Sequence, residues 1–329
     1  MAATISDSVG SKGAPYFKKV ADSRYKVSPT PPWNPRLILS ANKEVEVGLL
    51  QAAGCQLDPV PATGVIEVQD SDASKGERRF TVRGVAKGMA TVYLKDGHGR
   101  RVKDQGAELF LKITVLEPRT VNLAFFPLQD SGGHTSTKQN ASRLAQAVKQ
   151  ANDILQQADV AVENILGGLR PLEKIPKDMG SPITTAAVFR DNAWAGDLLA
   201  VKARNPGAHL YVFFIWGLTD ANGQAEEGQT WVPDAKDAAV LLKDSVAGGQ
   251  DGIALAHEVG HFLLMRFMMR LAEDFGYAEM TDKKYRPYLG LPDGLHSDDA
   301  SQLMYADLQG GTAIPPSQAL AMNAACGKL

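Results

Sequence analysis

Alternation of apolar and polar residues in the first third of the chain predicts a series of short β-strands. Between residues 36 and 118 the alternating runs are brief, and residues typical of turns separate them. The sequence Asp-Gly-His-Gly at 96–99 predicts a hairpin turn between the last two strands. Strands at this spacing favour a small all-β sandwich. The predicted strands include Leu37–Leu39, Val45–Leu50, Val65–Val68, Arg79–Arg83, Ala90–Leu94 and Leu109–Val115.

A polar segment of residues 1–35 precedes these strands. It ends in the sequence Ser-Pro-Thr-Pro-Pro-Trp-Asn-Pro at 28–35. Proline fixes its own backbone angle and favours extended, polyproline-type structure. We therefore interpret residues 1–35 as a tail and linker, and residues 36–118 as the β domain.

The pattern changes at Arg119, where continuous apolar runs begin to alternate with helical periodicity. A helix with apolar residues at helical spacing follows the first apolar run, and Asp251 is a candidate cap for a later helix. This order predicts an α/β (α+β) domain over residues 119–329. Its predicted strands are Val121–Phe126, Val160–Ile165, Ala208–Ile215, Gln229–Pro233 and Ala239–Leu242, and its predicted helices run from Ser136 or Thr137 to Gln157 and from Asn192 to Ala203.

The helix predicted after residue 251 carries the candidate chemistry. It contains His257, Glu258 and His261, which form an H-E-x-x-H pattern. Residues four apart lie on one face of a helix, so the two imidazoles can hold one metal ion and the glutamate can reach a water on that ion. The pattern therefore predicts a zinc site of the peptidase type, with Zn²⁺ as the cofactor.

Composition and charge limit the function classes only broadly. The 329 residues carry a formal net charge of −2, which gives no indication of binding to nucleic acid or to an anionic membrane. The most apolar run, Phe262 to Met269, contains Arg266 and predicts a core helix, not a membrane span. The N-terminal sequence shows no secretory signal pattern. Two cysteines, Cys55 and Cys326, do not form a disulfide framework, and they either pair or stay free.

A catalytic zinc site needs a third protein ligand, and the sequence offers several. His296 opens the sequence His-Ser-Asp-Asp-Ala-Ser-Gln-Leu-Met-Tyr at 296–305 and is the preferred candidate. Glu279 and one of Asp298 or Asp299 are the alternatives. The remaining histidines lie in a predicted turn, a glycine-rich loop and the start of a strand, where other roles are expected.

These two motif pieces make residues 119–329 resemble the metzincin clan of zinc peptidases, and its matrixin-like members in particular. In that family a third histidine is followed by a polar stretch and a Leu-Met-Tyr-like turn, which His296 and Met304 would supply. The compact family motif, H-E-x-x-H-x-x-G-x-x-H, is not kept, because Leu264 and Phe267 replace its glycine and third histidine. His296 follows His261 by 35 positions, so the resemblance implies an insertion over residues 262–295.

The resemblance implies hydrolysis of peptide bonds in a protein or peptide substrate. Glu258 would act as the general base, and His257, His261 and His296 would bind one zinc ion. Met304 would form a hydrophobic base under the ligands. Asp298 or Asp299 would either orient a ligand histidine or simply form a turn. Tyr305 follows the methionine directly, and Ala306 stands where some members have a tyrosine, so the stabiliser of the transition state stays open.

The segment from Phe80 to Tyr93 resembles one strand pair of the bacterial immunoglobulin-like modules, which implies a spacer or binding domain before the peptidase. A second class stays open, in which the protein is a secreted effector, toxin or binding protein with a structural or degenerate zinc site. Without a signal pattern, the chain is expected either in the cytoplasm or exported by a specialised machine such as type VI secretion. A delivery or immunity partner would accompany the second route.

Overall fold

The computed structural model describes residues 16–19, 36–50, 55–60, 64–74, 77–104, 106–184, 193–232, 238–275, 289, 291, 296–305 and 311–329. Contacts between residues divide the chain into two compact units, Met1–Pro118 and Arg119–Leu329. The first unit consists of strands in its described ranges, and the second combines strands with helices. The protein is therefore a multidomain chain with mixed α and β structure.

The first unit contains two four-stranded sheets, with the orders β1-β3-β6-β5 and β2-β10-β7-β4. Alternate side chains of both sheets enter one apolar core, which includes Leu37, Phe80, Val92 and Ile113. The strands are β1 (Tyr16–Lys19), β2 (Arg36–Ser40), β3 (Glu44–Leu50), β4 (Gln56–Val60), β5 (Ile66–Ser74), β6 (Glu77–Gly84), β7 (Gly88–Lys95), β8 (Lys103–Asp104), β9 (Ala107–Glu108) and β10 (Phe110–Leu116).

All six strands predicted in this unit are present, but the structure adds others. β1 lies in the segment interpreted as a tail, and it pairs with β3 in antiparallel orientation. β4 contains Pro59 and lies at the end of its sheet, where a proline can stand without breaking a ladder. The predicted turn at 96–99 is present, and the short β8-β9 pair lies between it and β10. These additional strands are too short or too irregular to show an alternating pattern.

The second unit is built on a six-stranded sheet with the order β12-β11-β15-β19-β18, with β13 paired to the end of β11. β12, β11, β15 and β19 are parallel, and β18 pairs with β19 in antiparallel orientation. The strands are β11 (Arg119–Gln129), β12 (Val160–Asn164), β13 (Glu173–Lys174), β14 (Ile183–Thr184), β15 (Leu210–Ile215), β16 (Leu218–Thr219), β17 (Ala225–Glu226), β18 (Gly228–Trp231) and β19 (Ala239–Lys243).

The central position of β15 follows from its composition. All six of its residues are buried, as expected for a parallel strand covered on both faces. Phe213 and Tyr211 of β15 pack against Phe126 of β11. The antiparallel strand β18 is short and lies at the end of the sheet order, so its outer edge is not paired with another strand of that sheet.

The helices of the second unit are α1 (Ala141–Leu155), α2 (Ala193–Arg204), α3 (Asp251–Phe275) and α4 (Pro316–Cys326). The predicted start of α1 at Ser136 or Thr137 is wrong, because the side chain of Asn140 caps the helix by accepting a bond from the backbone N–H of Arg143. α4 was not predicted, because its alanine-rich sequence is buried on several sides and shows no single apolar stripe. None of the helices in the described ranges has the length and apolarity needed to span a membrane.

Close packing against α1 fixes the start of α3. Asp251 is the first residue of α3, not its cap, and its carboxylate accepts two bonds of 2.8 Å from the guanidinium of Arg143. Gly252 follows, and a Cβ atom at this position would lie 2.5 Å from Cβ of Gln150 and 2.7 Å from the carbonyl oxygen of Ala147. Glycine at 252 therefore permits the contact between the two helices.

A Gly252→Ala substitution is expected to lower the free energy of unfolding of the second unit by about 1–3 kcal/mol, the usual cost of overpacking. The matched control is Gly196→Ala in α2, where no atom lies within 4 Å of the added Cβ. This control should instead raise the free energy of unfolding by about 0.5–1 kcal/mol, because alanine is more favourable than glycine within a helix. Urea unfolding followed by the helical circular dichroism signal tests both, and equal effects at the two positions would contradict the packing argument.

Candidate metal centre

Two histidines of α3 lie close to a third histidine from a distant part of the sequence. His257 and His261 lie one helical turn apart on α3, and His296 belongs to the segment that follows it. A nitrogen atom from each ring lies within 4.8 Å of the other two. The ring of His261 stands nearly perpendicular to the other two rings, with centroids 4.5 Å and 5.0 Å away. We call this group the three-histidine site.

Burial keeps two of these imidazoles in the form that binds metal. Burial lowers the pKa of His257 to about 4, although a hydrogen bond to Leu303 opposes the change. Burial, together with the neighbouring histidines, lowers the pKa of His261 well below its usual value. Both rings are therefore neutral at pH 7, and a neutral ring has a nitrogen lone pair available for a metal ion.

The segment after His296 fixes the orientation of His257. Nδ1 of His257 lies 2.7 Å from the carbonyl oxygen of Leu303, so this nitrogen carries the proton and donates it. Nε2 is then the atom with the free lone pair. The backbone N–H of Ser297 donates to the carbonyl oxygen of Met304 at 2.7 Å, which holds the two ends of the segment together. The same turn thus carries His296 and orients His257.

Met304 packs against the helix between the two histidines of α3. Its side chain is fully buried. A Cβ atom at Gly260 would lie 2.6 Å from Sδ of Met304 and 3.2 Å from Cε of Met322. Glycine at position 260 therefore lets the methionine approach the helix closely, at the level of the three-histidine site.

Glu258 is buried and is held by the edge strand. The hydroxyl of Thr230, in β18, lies 2.6 Å from Oε2 of Glu258 and 2.9 Å from its backbone oxygen. Burial raises the pKa of Glu258 to about 8; the bond from Thr230 opposes this rise, and nearby Glu226 adds to it. A cation in the three-histidine site would favour the charged carboxylate.

Gly228 gives Glu258 its space. A Cβ atom at Gly228 would lie 2.6 Å from Oε1 and 2.9 Å from Cγ of Glu258. The first residue of β18 therefore has to be small for the carboxyl group to occupy its position. Glu258 thus lies against the edge strand β18.

The other predicted residues of the 296–305 segment have different surroundings. Asp298 is exposed. The carboxylate of Asp299 accepts bonds from the backbone and hydroxyl of Ser301 and from the amide of Gln302, so it stabilises a turn. Tyr305 is half-buried, and its backbone N–H donates to Gln302. Asp299 therefore has the turn-forming role, which was one of the two roles predicted from the sequence.

Other candidate ligands lie elsewhere or outside the described residues. Glu279 and most of residues 276–295 lie outside them. The ring of His209 accepts a bond from the backbone N–H of Asn122 at 3.1 Å, and His98 is exposed in the 96–99 turn. Leu264 and Phe267 lie within α3, which continues to Phe275. Cys55 and Cys326 are both buried, and neither forms a disulfide.

Two residues that position Glu258 were missed by sequence reasoning. Thr230 and Gly228 lie in a strand that was predicted only as an edge, and their contacts depend on how that strand packs against α3. The Leu303 carbonyl was also missed, because every residue carries one and the sequence cannot mark it.

Comparisons with known proteins do not assign a family. No protein-family model and no curated protein matches the chain. Two solved structures of the S-layer protein SbsC are similar over part of it: domains 4 and 5 at 17% identity and TM-score 0.18, and domains 5–6 at 16% identity and TM-score 0.20. The matches cover 31% and 32% of this chain and 53% and 48% of those chains, about half their length. A GH5 xyloglucanase from Bacteroides ovatus is 13% identical, with TM-score 0.20, over 78% of this chain and 58% of that chain. At these TM-scores the similarities carry no functional argument.

Proposed function

We propose that this protein is a zinc-dependent endopeptidase with a metzincin-like catalytic unit. The observation that carries the proposal is the convergence of His257, His261 and His296, together with the buried Glu258 that follows His257 on α3. Three histidines and an adjacent glutamate are the ligand set and base of many zinc peptidases. The first unit is proposed to be an immunoglobulin-like spacer or binding module.

The donor set of the three-histidine site fits zinc. Imidazole nitrogen is a good ligand for this ion, and two of the rings are held neutral by burial. The contact of His257 with the Leu303 carbonyl is the kind of outer interaction that accompanies a metal-binding histidine. Within the described residues, no fourth His, Cys, Asp or Glu joins the group. A site with three protein ligands leaves a position for water or substrate, which favours catalysis over a purely structural role.

The mechanism assigns distinct tasks to the residues of the chain. Zinc held by the three histidines supplies Lewis acidity toward water and the scissile carbonyl. Glu258 accepts a proton from the attacking water and delivers it to the leaving nitrogen. Thr230 holds the carboxyl group in place while the proton moves. The outer edge of β18, which pairs with no other strand in the described residues, can accept an extended peptide by strand addition beside Glu258.

A competing function is an effector or binding protein whose zinc site is structural or degenerate. Such a site has no need for a base, so the buried Glu258 with its dedicated partner Thr230 favours the peptidase. The biological setting, including delivery as an exported effector, stays a proposal that depends on this activity.

Removal of zinc is expected to abolish cleavage of unstructured casein. The purified full chain, treated with a chelator and dialysed, should lose activity and recover it on addition of Zn²⁺, because the proposed Lewis acid is then restored. The matched control is a serine peptidase treated in the same way, which should keep its activity. Full casein cleavage by the metal-free protein would contradict the proposal.

Replacing Thr230 with valine should reduce kcat about tenfold or more, because a hydrogen bond to a charged group is worth about 1.5–3 kcal/mol. Valine keeps the shape of threonine and removes only the hydroxyl that holds Glu258. KM should change little, since the contact positions the base without binding the substrate. Steady-state kinetics with a fluorogenic peptide test this, with Thr120→Val at an exposed position of β11 as the control. If the two variants had equal kcat values, the hydroxyl of Thr230 would have no role in positioning Glu258.

A further inference from the structure

A second cluster of metal-ligating side chains shares no residue with the three-histidine site. Asp130 and His134 belong to the tight turn after β11, and Asp178 lies in the loop after β13. The ligand atoms of these three residues, which we call the Asp130 cluster, all lie within 4.8 Å of one another. We propose that the Asp130 cluster binds a divalent transition-metal ion, for which Zn²⁺ is the probe. This inference does not depend on the proposed function.

The backbone holds the two loops in position for such an ion. The N–H of Asp130 donates to the carbonyl oxygen of His134 at 3.0 Å, which closes the turn. The N–H groups of Met179 and His134 donate to the carboxylate of Asp130, each at 2.8 Å. The side chain of Asp130 has no exposed surface, so these bonds fix a buried carboxylate at the junction of the two loops. The site is thus formed by the fold before any ligand binds.

The second carboxylate is the feature that points to a cation. Nδ1 of His134 lies 2.9 Å from Oδ2 of Asp130, a hydrogen-bond distance, but 3.7 Å from Oδ1 of Asp178, which is too long for one. Oδ1 of Asp178 also accepts a bond from the N–H of Gly180. Carboxylates that share one site repel each other unless a positive charge lies between them.

Close approach of Asp178 also depends on a glycine. A Cβ atom at Gly132 would lie 2.6 Å from Oδ1 and 2.7 Å from Cγ of Asp178. The ring of His134 stacks on Trp216 at a centroid distance of 5.4 Å, and the indole N–H of Trp216 donates to the carbonyl oxygen of Gly180. Both contacts orient the ring and the Asp178 loop toward each other.

The donor set selects the class of ion. Ligand bonds of about 2.0–2.2 Å place two donors of one ion roughly 3–4 Å apart. Nδ1 of His134 lies 2.9 Å and 3.7 Å from the two carboxylates, so a small adjustment would bring these atoms to one ion. One imidazole with two carboxylates suits zinc or manganese better than calcium or magnesium, which prefer oxygen donors alone. The side chains of His134 and Asp178 are 33% and 61% exposed, so an ion can enter from solvent and complete its shell with water.

The closeness of the two carboxylates has a competing explanation, because a protonated imidazole at His134 would also screen them. Zinc stoichiometry separates the two explanations. The full chain is stripped of metal with a chelator, titrated with Zn²⁺ by isothermal calorimetry, and assayed for bound zinc after dialysis. We expect two equivalents for the natural sequence and one for Asp178→Asn, which changes an exposed side chain and should fold. The surface control Asp153→Asn, which removes a carboxylate paired with Lys149 on α1, should keep two.

A His257→Ala/His261→Ala variant tells the two sites apart. It should bind one equivalent, and adding Asp178→Asn to it should leave none. If Asp178→Asn binds as much zinc as the natural sequence, the proton explanation stands and our inference fails. If the natural sequence binds a single ion that is lost only in the histidine variant, the Asp130 cluster is not a metal site, and the proposed function is unaffected. Loss of a single ion only in Asp178→Asn would support the cluster and contradict the three-histidine site.

Discussion

A Glu258→Gln variant is expected to lose about 10²- to 10⁴-fold in kcat/KM, the usual contribution of a general base. Glutamine keeps the length of the side chain, and its oxygen can still accept the bond from Thr230. No heavy atom is added in the close space above Gly228. What is removed is the ability to take a proton from water. The loss should therefore fall on the chemical step.

The measurement is cleavage of casein and of a fluorogenic peptide, combined with zinc content. Zinc content after dialysis should equal that of the natural sequence, because Glu258 is not among the three proposed ligands. Glu163→Gln, at an exposed position of β12, is the matched control and should keep full activity. A Glu258→Gln variant that cleaves as well as this control would end the peptidase proposal. Loss of zinc as well as activity would instead assign Glu258 to the metal.

Sequence pattern predicts the helix of the site well, because local rules determine it. A helix was expected after residue 251, and α3 runs from Asp251 to Phe275. The spacing of His257 and His261 alone places their rings on one face. The strands around the helix were also predicted, including the edge strand near Trp231, because they are apolar runs bounded by turn residues.

The supporting contacts depend on long-range packing and are less accessible to sequence reasoning. Thr230 and Gly228 contact Glu258 only because β18 lies beside the helix. The sequence predicted Asp251 as a helix cap, but in the structure its carboxylate forms an ion pair with Arg143 of α1. The Asp130 cluster brings together loops that follow two different strands, which no local pattern reports. In each case the missing information is which elements are neighbours.

The separation in sequence between His261 and His296 also has an energetic cost. The cost of closing a loop grows only with the logarithm of its length. Part of the 35-residue separation is α3 itself, which continues to Phe275, so the extra cost over the compact motif is below the ~1.5 kcal/mol of a fully flexible chain of that length. The bond between Ser297 and Met304 and the packing of Met304 against Gly260 are of the size needed to offset this cost. A distant third ligand is therefore energetically reasonable, and it makes His296 the decisive residue of the site.

Replacing His296 with alanine should weaken zinc binding at the three-histidine site by at least about 100-fold. Loss of a partner that only supports a ligand already costs about 10–100-fold in affinity, and His296 is proposed to contact the ion directly. The ring is half-buried at the end of the described 296–305 segment, so its removal should leave the helix and the Leu303 contact to His257 in place. The affinity should fall while the fold is kept.

The measurement uses the Asp178→Asn background, in which zinc reports the three-histidine site alone. Competition with a chromophoric chelator gives the affinity, and circular dichroism checks the fold. His98→Ala, in an exposed turn of the first unit, is the matched control and should bind as the background does. Undiminished zinc affinity in His296→Ala would show that the third ligand is another residue, and Glu279→Gln would then be the next variant to measure. A loss confined to His296→Ala, with casein cleavage lost in parallel, would tie the distant histidine to both metal and activity.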